Sequence, residues 1–262
     1  MNFIEIKSRI ENAKALDFGI VFNQCIELFK KVWVQGLIVL LLNLVLAIPV
    51  MMIVYIPIIL LGLADAFSDA NTYGSSTMSD FSGIMIVVMG VLYIFLILAM
   101  STIALGLKAA FYRICKFKDL GQEGKEDYFY FLKKQYLGKT ITLSIALIGI
   151  VFLATLLFFV PLIYAIVPLS FILVIYAFNP DLSISEIIKQ AFNLGNKKWL
   201  ISFGLLLITW FLSTVIGFLM CGFGIYVTSS FNYLPSYIIY KEVVGFDDES
   251  EQLRRIEQLT TF

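Results

Sequence analysis

The chain has no histidine, three cysteines and little charge: only 15% of its 262 residues are Asp, Glu, Lys or Arg. Each shortage closes a class of function. Without histidine the chain lacks the commonest acid–base group and the commonest ligand for zinc and iron. Cys25, Cys115 and Cys221 show neither metal-ligand spacing nor a pairing pattern, so they read as small buried apolar residues. Lys and Arg together number 19, as do Asp and Glu, so there is no global basic face for nucleic acid.

What the chain has is apolar length. It is 60% hydrophobic with a mean hydropathy of +0.91, and its charged fraction lies well below the roughly 25% of soluble domains. A soluble domain of this size has no interior large enough for so much apolar surface. The expected fold is therefore all-α, a polytopic membrane bundle of six transmembrane helices with amphipathic interfacial helices.

The first amphipathic stretch sets the pattern. Phe18, Val21, Phe22, Cys25, Ile26 and Phe29 share one helix face, with Asn23, Gln24, Glu27 and Lys30 on the other. Lys30, Lys31 and Trp33 then precede an apolar run, the pattern of a surface helix, a basic anchor and an interfacial tryptophan. A helix lying parallel to the bilayer is expected at each such stretch. A second surface helix is expected at 126–137. The third, at 183–195, opens on Ser183 and Glu186 at capping-box spacing and can end at Gly195. Lys197, Lys198 and Trp199 follow it as membrane-interface anchors.

The spans are expected at 32–63, 81–107, 140–160, 162–178, 199–220 and 225–243. The first would be about 48 Å long against a hydrocarbon core of about 30 Å, so it reads as one helix, tilted and kinked at Pro49 and Pro57. A polar loop at 64–80 carries Asp65, Asp69 and Asp80. Pro161 and the stretch from Gly222 to Gly224 read as hairpin turns. Six spans with both termini inside place all 19 Lys and Arg on the cytoplasmic side; five or four spans put several of them outside, against the positive-inside rule. The organisation is then a cytoplasmic arm at 1–31, a membrane domain at 32–243 and a cytoplasmic tail at 244–262. The polar N-terminal residues do not read as a cleavable signal, so the first span is expected to act as the targeting signal.

A shift of 166 residues sends Phe18, Val21, Phe22, Cys25 and Ile26 onto Ile184, Ile187, Ile188, Ala191 and Phe192. Gln24, Leu28, Lys31 and Trp33 meet identical residues at Gln190, Leu194, Lys197 and Trp199. An internal repeat explains this. So does convergence, since any helix entering a membrane from the cytoplasm favours lysine followed by tryptophan. Asn43 lies ten residues after Trp33 and Thr209 ten after Trp199. At about 15 Å from the interface, an amide facing lipid would cost several kcal/mol. Asn43 is therefore expected to point inward and bond another span, with Thr209 inward likewise.

From Val160 to Gly245 the chain resembles a loose group of bacterial multi-span families with no assigned function. That group includes the membrane domain sometimes fused to glycerophosphodiester phosphodiesterases. The resembling residues are Tyr176, Asn179-Pro180-Asp181-Leu182-Ser183, Glu186, Gly195-Asn196-Lys197-Lys198-Trp199, Gly222, Gly224 and Tyr240. The resemblance implies architecture and location in a bacterial cytoplasmic (inner) membrane. It does not bring the phosphodiesterase activity, whose domain is absent here.

An intramembrane enzyme needs a nucleophile with a base, an acid–base pair or a metal. The apolar runs, the last of them taken to Tyr240, contain no Asp, Glu or His, and Lys108, near an inner end, reads as a snorkelling residue. Catalytic, cofactor and metal residues are accordingly expected to be none. Membrane lipids and a protein at the cytoplasmic face are the expected partners, and nucleic acid is not one. The leading expectation is a non-enzymatic membrane scaffold or partner-docking protein in envelope organisation. The alternative is a transporter or flippase for a lipid or small neutral solute, which a ligand-sized cavity between spans would favour.

Overall fold

A computed structural model of the chain describes residues 1–69, 83–157, 160–220 and 224–246. Among them the fold is all-α: α1 (Phe3–Glu11), α2 (Phe18–Asp69), α3 (Gly83–Leu120), α4 (Lys134–Leu156), α5 (Val160–Phe178), α6 (Ile184–Lys197), α7 (Trp199–Leu219), α8 (Gly224–Thr228) and α9 (Leu234–Val243), with 3-10 turns at Tyr130–Leu132 and Ser229–Tyr233. Five of the helices are long and apolar enough to cross a membrane, namely 18–57 within α2, 87–120 within α3, α4, 161–178 within α5, and α7. The protein is a multi-pass membrane protein. Most of the expected loop at 64–80, the turn at Cys221 and Gly222, and the tail beyond Phe246 lie outside the described residues.

Burial divides the bundle into two zones. At one end, α1, α6 and α9 pack with the first third of α2, the last third of α3 and the second half of α5 around a closed core that includes Ile6, Leu28, Phe111, Phe171, Ile187 and Tyr240. At the other end, α2, α3, α4 and α7 present exposed apolar side chains such as Leu44, Ile94, Phe152 and Phe211. So much contiguous exposed aliphatic surface is tolerable only against lipid.

Several expected elements take another form. The stretch from Phe18 to Trp33 is not a separate surface helix, because α2 is unbroken for 52 residues. Lys30 to Trp33 holds no breaker, and the buried stripe Val21, Cys25, Leu28, Val32, Val39 continues through it into the span. This keeps both parts on one axis. The helix that carries the first span runs past residue 63 to Asp69.

No surface helix forms over 126–137. Phe131 is fully buried, its carbonyl accepts from Thr140 Oγ1 at 2.9 Å, and Arg113 stacks 3.5 Å over the Tyr130 ring. These contacts tie the segment to α3 and α4 as a 3-10 turn, and α4 begins at Lys134.

The helix at 183–195 does form, as α6, and Ser183 with Glu186 makes a reciprocal capping box at its start. It does not lie across the spans, however. Gly195 meets Pro168, where an added Cβ would sit 2.9 Å from the proline Cα, and Tyr164 donates to Asn196 Oδ1. The helix therefore doubles back antiparallel along α5, with α1 packed against it as well. If α5 crosses the membrane, α6 cannot lie flat on its surface. Gly195 does not end the helix, which runs on to Lys197; the glycine serves this close approach instead.

Pro161, expected as a hairpin turn, lies in the first turn of α5, where its missing N–H costs nothing. The sixth segment, expected as one helix at 225–243, is broken into α8, a 3-10 turn and α9. Pro235 in the first turn of α9 starts a new helix there, and Thr228 and Ser230 of the polar run are buried. Ser213 Oγ donates to the Thr228 carbonyl at 3.0 Å and Thr228 Oγ1 to the Ser213 carbonyl at 2.9 Å, pairing this segment with α7. Gly36 lets α2 approach the break, since a Cβ there would lie 2.2 Å from Ser230 Cβ.

Candidate functional site

The break in the last segment leaves room inside the bundle. A cleft of about 460 Å³ lies between α3, α5, α7 and residues 232–236. One end is polar, with Lys108, Tyr112, Ser170, Asn232, Tyr233 and Ser236; the other is apolar, with Ile166, Phe203, Leu206, Leu207 and Trp210. Ile166, Leu207 and Trp210 are themselves exposed, at 44%, 51% and 61%, so the apolar end opens on the lipid-facing surface between α5 and α7. Phe203 to Trp210 lie about 6–16 Å along the helix from Trp199.

A second cavity of about 310 Å³ lies on the other side of Lys108 and Tyr233. Val39 and Asn43 of α2, Ser101, Ala104 and Leu105 of α3, Leu147 of α4 and Leu173 of α5 complete its wall. Both volumes fall in the range of small-molecule sites. The Lys108–Tyr233 pair is shared by the two, and the ammonium sits 3.8 Å from the ring centroid.

Lys108 is half-buried and borders both cavities. It stands where α3 enters the packed zone, flanked by the buried Leu107 and Ala109. Among the described residues no carboxylate faces it. An ammonium drawn out of water loses up to several kcal/mol of solvation, whereas a cation–π contact returns about 1–2. The residue is thus held in a place that favours a negative charge beside it.

The residues marked in the sequence fall in different places. Asn43 is half-buried and lines the second cavity, but among the described residues its side chain bonds no other span. Thr209 is fully buried and donates to the Leu206 carbonyl of its own helix at 3.1 Å; no hydrogen bond joins the two. Lys30 pairs with Glu27 at 2.6 Å, and both are exposed, as is Lys31. Trp33 is 41% exposed. Lys197 donates to the Glu11 carbonyl at 3.2 Å and Lys198 to that of Lys14, so both hold α1 and the turn after it. Trp199 donates to the Tyr164 carbonyl at 3.1 Å and stacks on Phe203. The two stretches matched by the 166-residue shift also differ: the helix bends at Lys198, with φ −118°, where its counterpart continues unbroken through Val32.

The polar chemistry of the packed end is structural. Asp119 receives Lys241 at 2.8 Å and Tyr237 at 3.0 Å, tying α3 to α9. Asn179 donates to the Tyr240 hydroxyl at 2.7 Å. Glu126 is held below the usual carboxylate range, first by its bond from Lys118 and then by those from Tyr128 and Gln35. This set ties the loop before α4 back to α2 and α3. No group of three or more His, Cys, Asp or Glu with metal-binding geometry occurs among the described residues.

The sequence did not single out Tyr112, Tyr233, Asn232 or Ser236. For Asn232, Tyr233 and Ser236 the local signal was the polar run interrupting the last apolar stretch, together with Pro235; Tyr112 had none. No protein-family model, curated protein or solved structure matches the chain.

Proposed function

We propose that the protein is a non-enzymatic transporter of the bacterial cytoplasmic membrane, with both termini in the cytoplasm, that takes an amphipathic molecule from the bilayer. The observation that carries this reading is the cleft between α5 and α7, polar at Lys108 and open to lipid at Trp210. An acyl chain suits the apolar end and a headgroup the polar end. The second cavity, beyond the Lys108–Tyr233 pair, offers a further polar station toward α2. Broken helices lining such a site recur in transporters.

The scaffold reading rests on a separate observation, the amphipathic layer of α1 and α6, whose exposed charges could dock a protein. That layer is already packed on itself, with Gln190 donating to the Phe3 carbonyl at 2.9 Å, which favours transport.

The test is transbilayer movement in vesicles. With the protein reconstituted and a fluorescent headgroup-labelled phospholipid in both leaflets, dithionite should bleach the inner-leaflet pool, and Ser170→Phe, which fills the cleft, should abolish that loss. Bleaching confined to the outer leaflet, as in protein-free vesicles, would count against the reading.

A further inference from the structure

We infer that the cleft selects amphiphiles whose headgroup carries an anionic oxygen, a phosphodiester or a carboxylate, and that Lys108 is the residue that binds it. This rests on the proposed uptake of an amphiphile and adds the charge of its headgroup, in place of a neutral cargo. Three observations converge on it. First, the ammonium of Lys108 borders both cavities while no carboxylate of the described residues faces it. Second, its close partner among the described residues is the face of Tyr233, which attracts a cation but cannot neutralise it. Third, the neighbouring groups at that end, Tyr112, Asn232 and Ser236, are hydroxyls and an amide. These donate to an anionic oxygen and bring no competing charge.

The arrangement also sets the ligand's direction. Trp210, at 61% exposure, marks the mouth, and Lys108 lies at the far, polar end. The headgroup therefore enters the bundle while the chain trails back toward lipid between α5 and α7.

Trp210 provides the readout. The chain has 3 tryptophans, so replacing Trp33 and Trp199 with Phe leaves Trp210 alone. This parent is reconstituted in phosphatidylcholine vesicles containing a minor fraction of lipid brominated on its acyl chains. The brominated lipid is phosphatidylglycerol, a fatty acid or neutral diacylglycerol. Preferential quenching by phosphatidylglycerol identifies a phosphodiester head; preferential quenching by the fatty acid identifies a carboxylate. Either preference is the expected result. It should drop about tenfold in Lys108→Gln, the size of one lost charge-assisted contact, and survive in Lys108→Arg. Equal quenching by charged and neutral lipids in the parent would overturn the charge selectivity but leave amphiphile uptake standing. A preference that persists in Lys108→Gln would overturn the assignment to Lys108. If Ser170→Phe leaves quenching by every lipid unchanged, no chain occupies the cleft, and the transport reading falls with it.

Discussion

The ammonium of Lys108 stands 3.8 Å from the centre of the Tyr233 ring and forms the partition between two cavities. A double-mutant cycle measures the pair. Tyr233→Leu should lower thermal stability in the parent and lower it less in a Lys108→Met background, the coupling being about 1–2 kcal/mol. Lys108→Met alone should leave stability unchanged or raise it, because it removes a half-buried charge that no carboxylate of the described residues balances. A large loss of stability in Lys108→Met would show that the lysine is structural.

Gly36 is where α2 meets the broken segment. Gly36→Ala should cost about 1–3 kcal/mol, since the new methyl would overlap Ser230. Gly149, whose added Cβ would meet nothing within 4 Å, is the control. Gly149→Ala should be neutral or stabilise by roughly 0.5–1 kcal/mol through helix propensity. Melting curves in one detergent compare them, and equal losses would contradict the close approach.

The two faces of α6 should respond differently to charge. Ile187 is fully buried between α6 and its neighbours, while Lys189 is exposed. Ile187→Glu should abolish the monodisperse folded fraction, because an unpaired carboxylate would be buried. Lys189→Glu should keep it. Similar yields would mean that the apolar face of α6 is not packed.

Acid should loosen the loop before α4. The Glu126 carboxyl is held below its usual range chiefly by Lys118. A depressed folded value means its contribution is present above the unfolded value and is lost as the pH falls through the folded one. Stability should therefore be flat near neutrality and decline below about pH 4, with a shallower decline in Glu126→Gln. The group is partly exposed, so the effect is under about 1 kcal/mol. Unchanged acid sensitivity in the variant would exclude Glu126 as a source.

Much of this architecture is written in local pattern. The uninterrupted apolar runs announce α3 and α7, Pro161 marks the start of α5, and Ser183 with Glu186 caps α6. Lysine followed by tryptophan reads the same at both helix entries, yet α2 runs straight while the other turns at Lys198. That difference depends on what each helix packs against. The orientation of α6 depends likewise on Gly195 meeting Pro168, a contact between residues of two helices. The candidate site was the least legible part. Lys108 looked like an interfacial residue because its position in the chain does not reveal that Tyr233 and Ser236 fold back over it. Asn43 was expected to bond another span; it lines a cavity, and among the described residues its side chain bonds no other span.

The central claim is that a lipid-derived chain lies in the cleft between α5 and α7. A phosphatidylglycerol with a photoreactive acyl chain, irradiated in vesicles with the intact protein and mapped by peptide mass spectrometry, tests it directly. The account predicts adducts concentrated on Phe203, Leu207 and Trp210 and on Ile166, lost in Ser170→Phe. Adducts spread evenly over the exposed apolar faces of α2, α3, α4 and α7, and unchanged by that substitution, would contradict it.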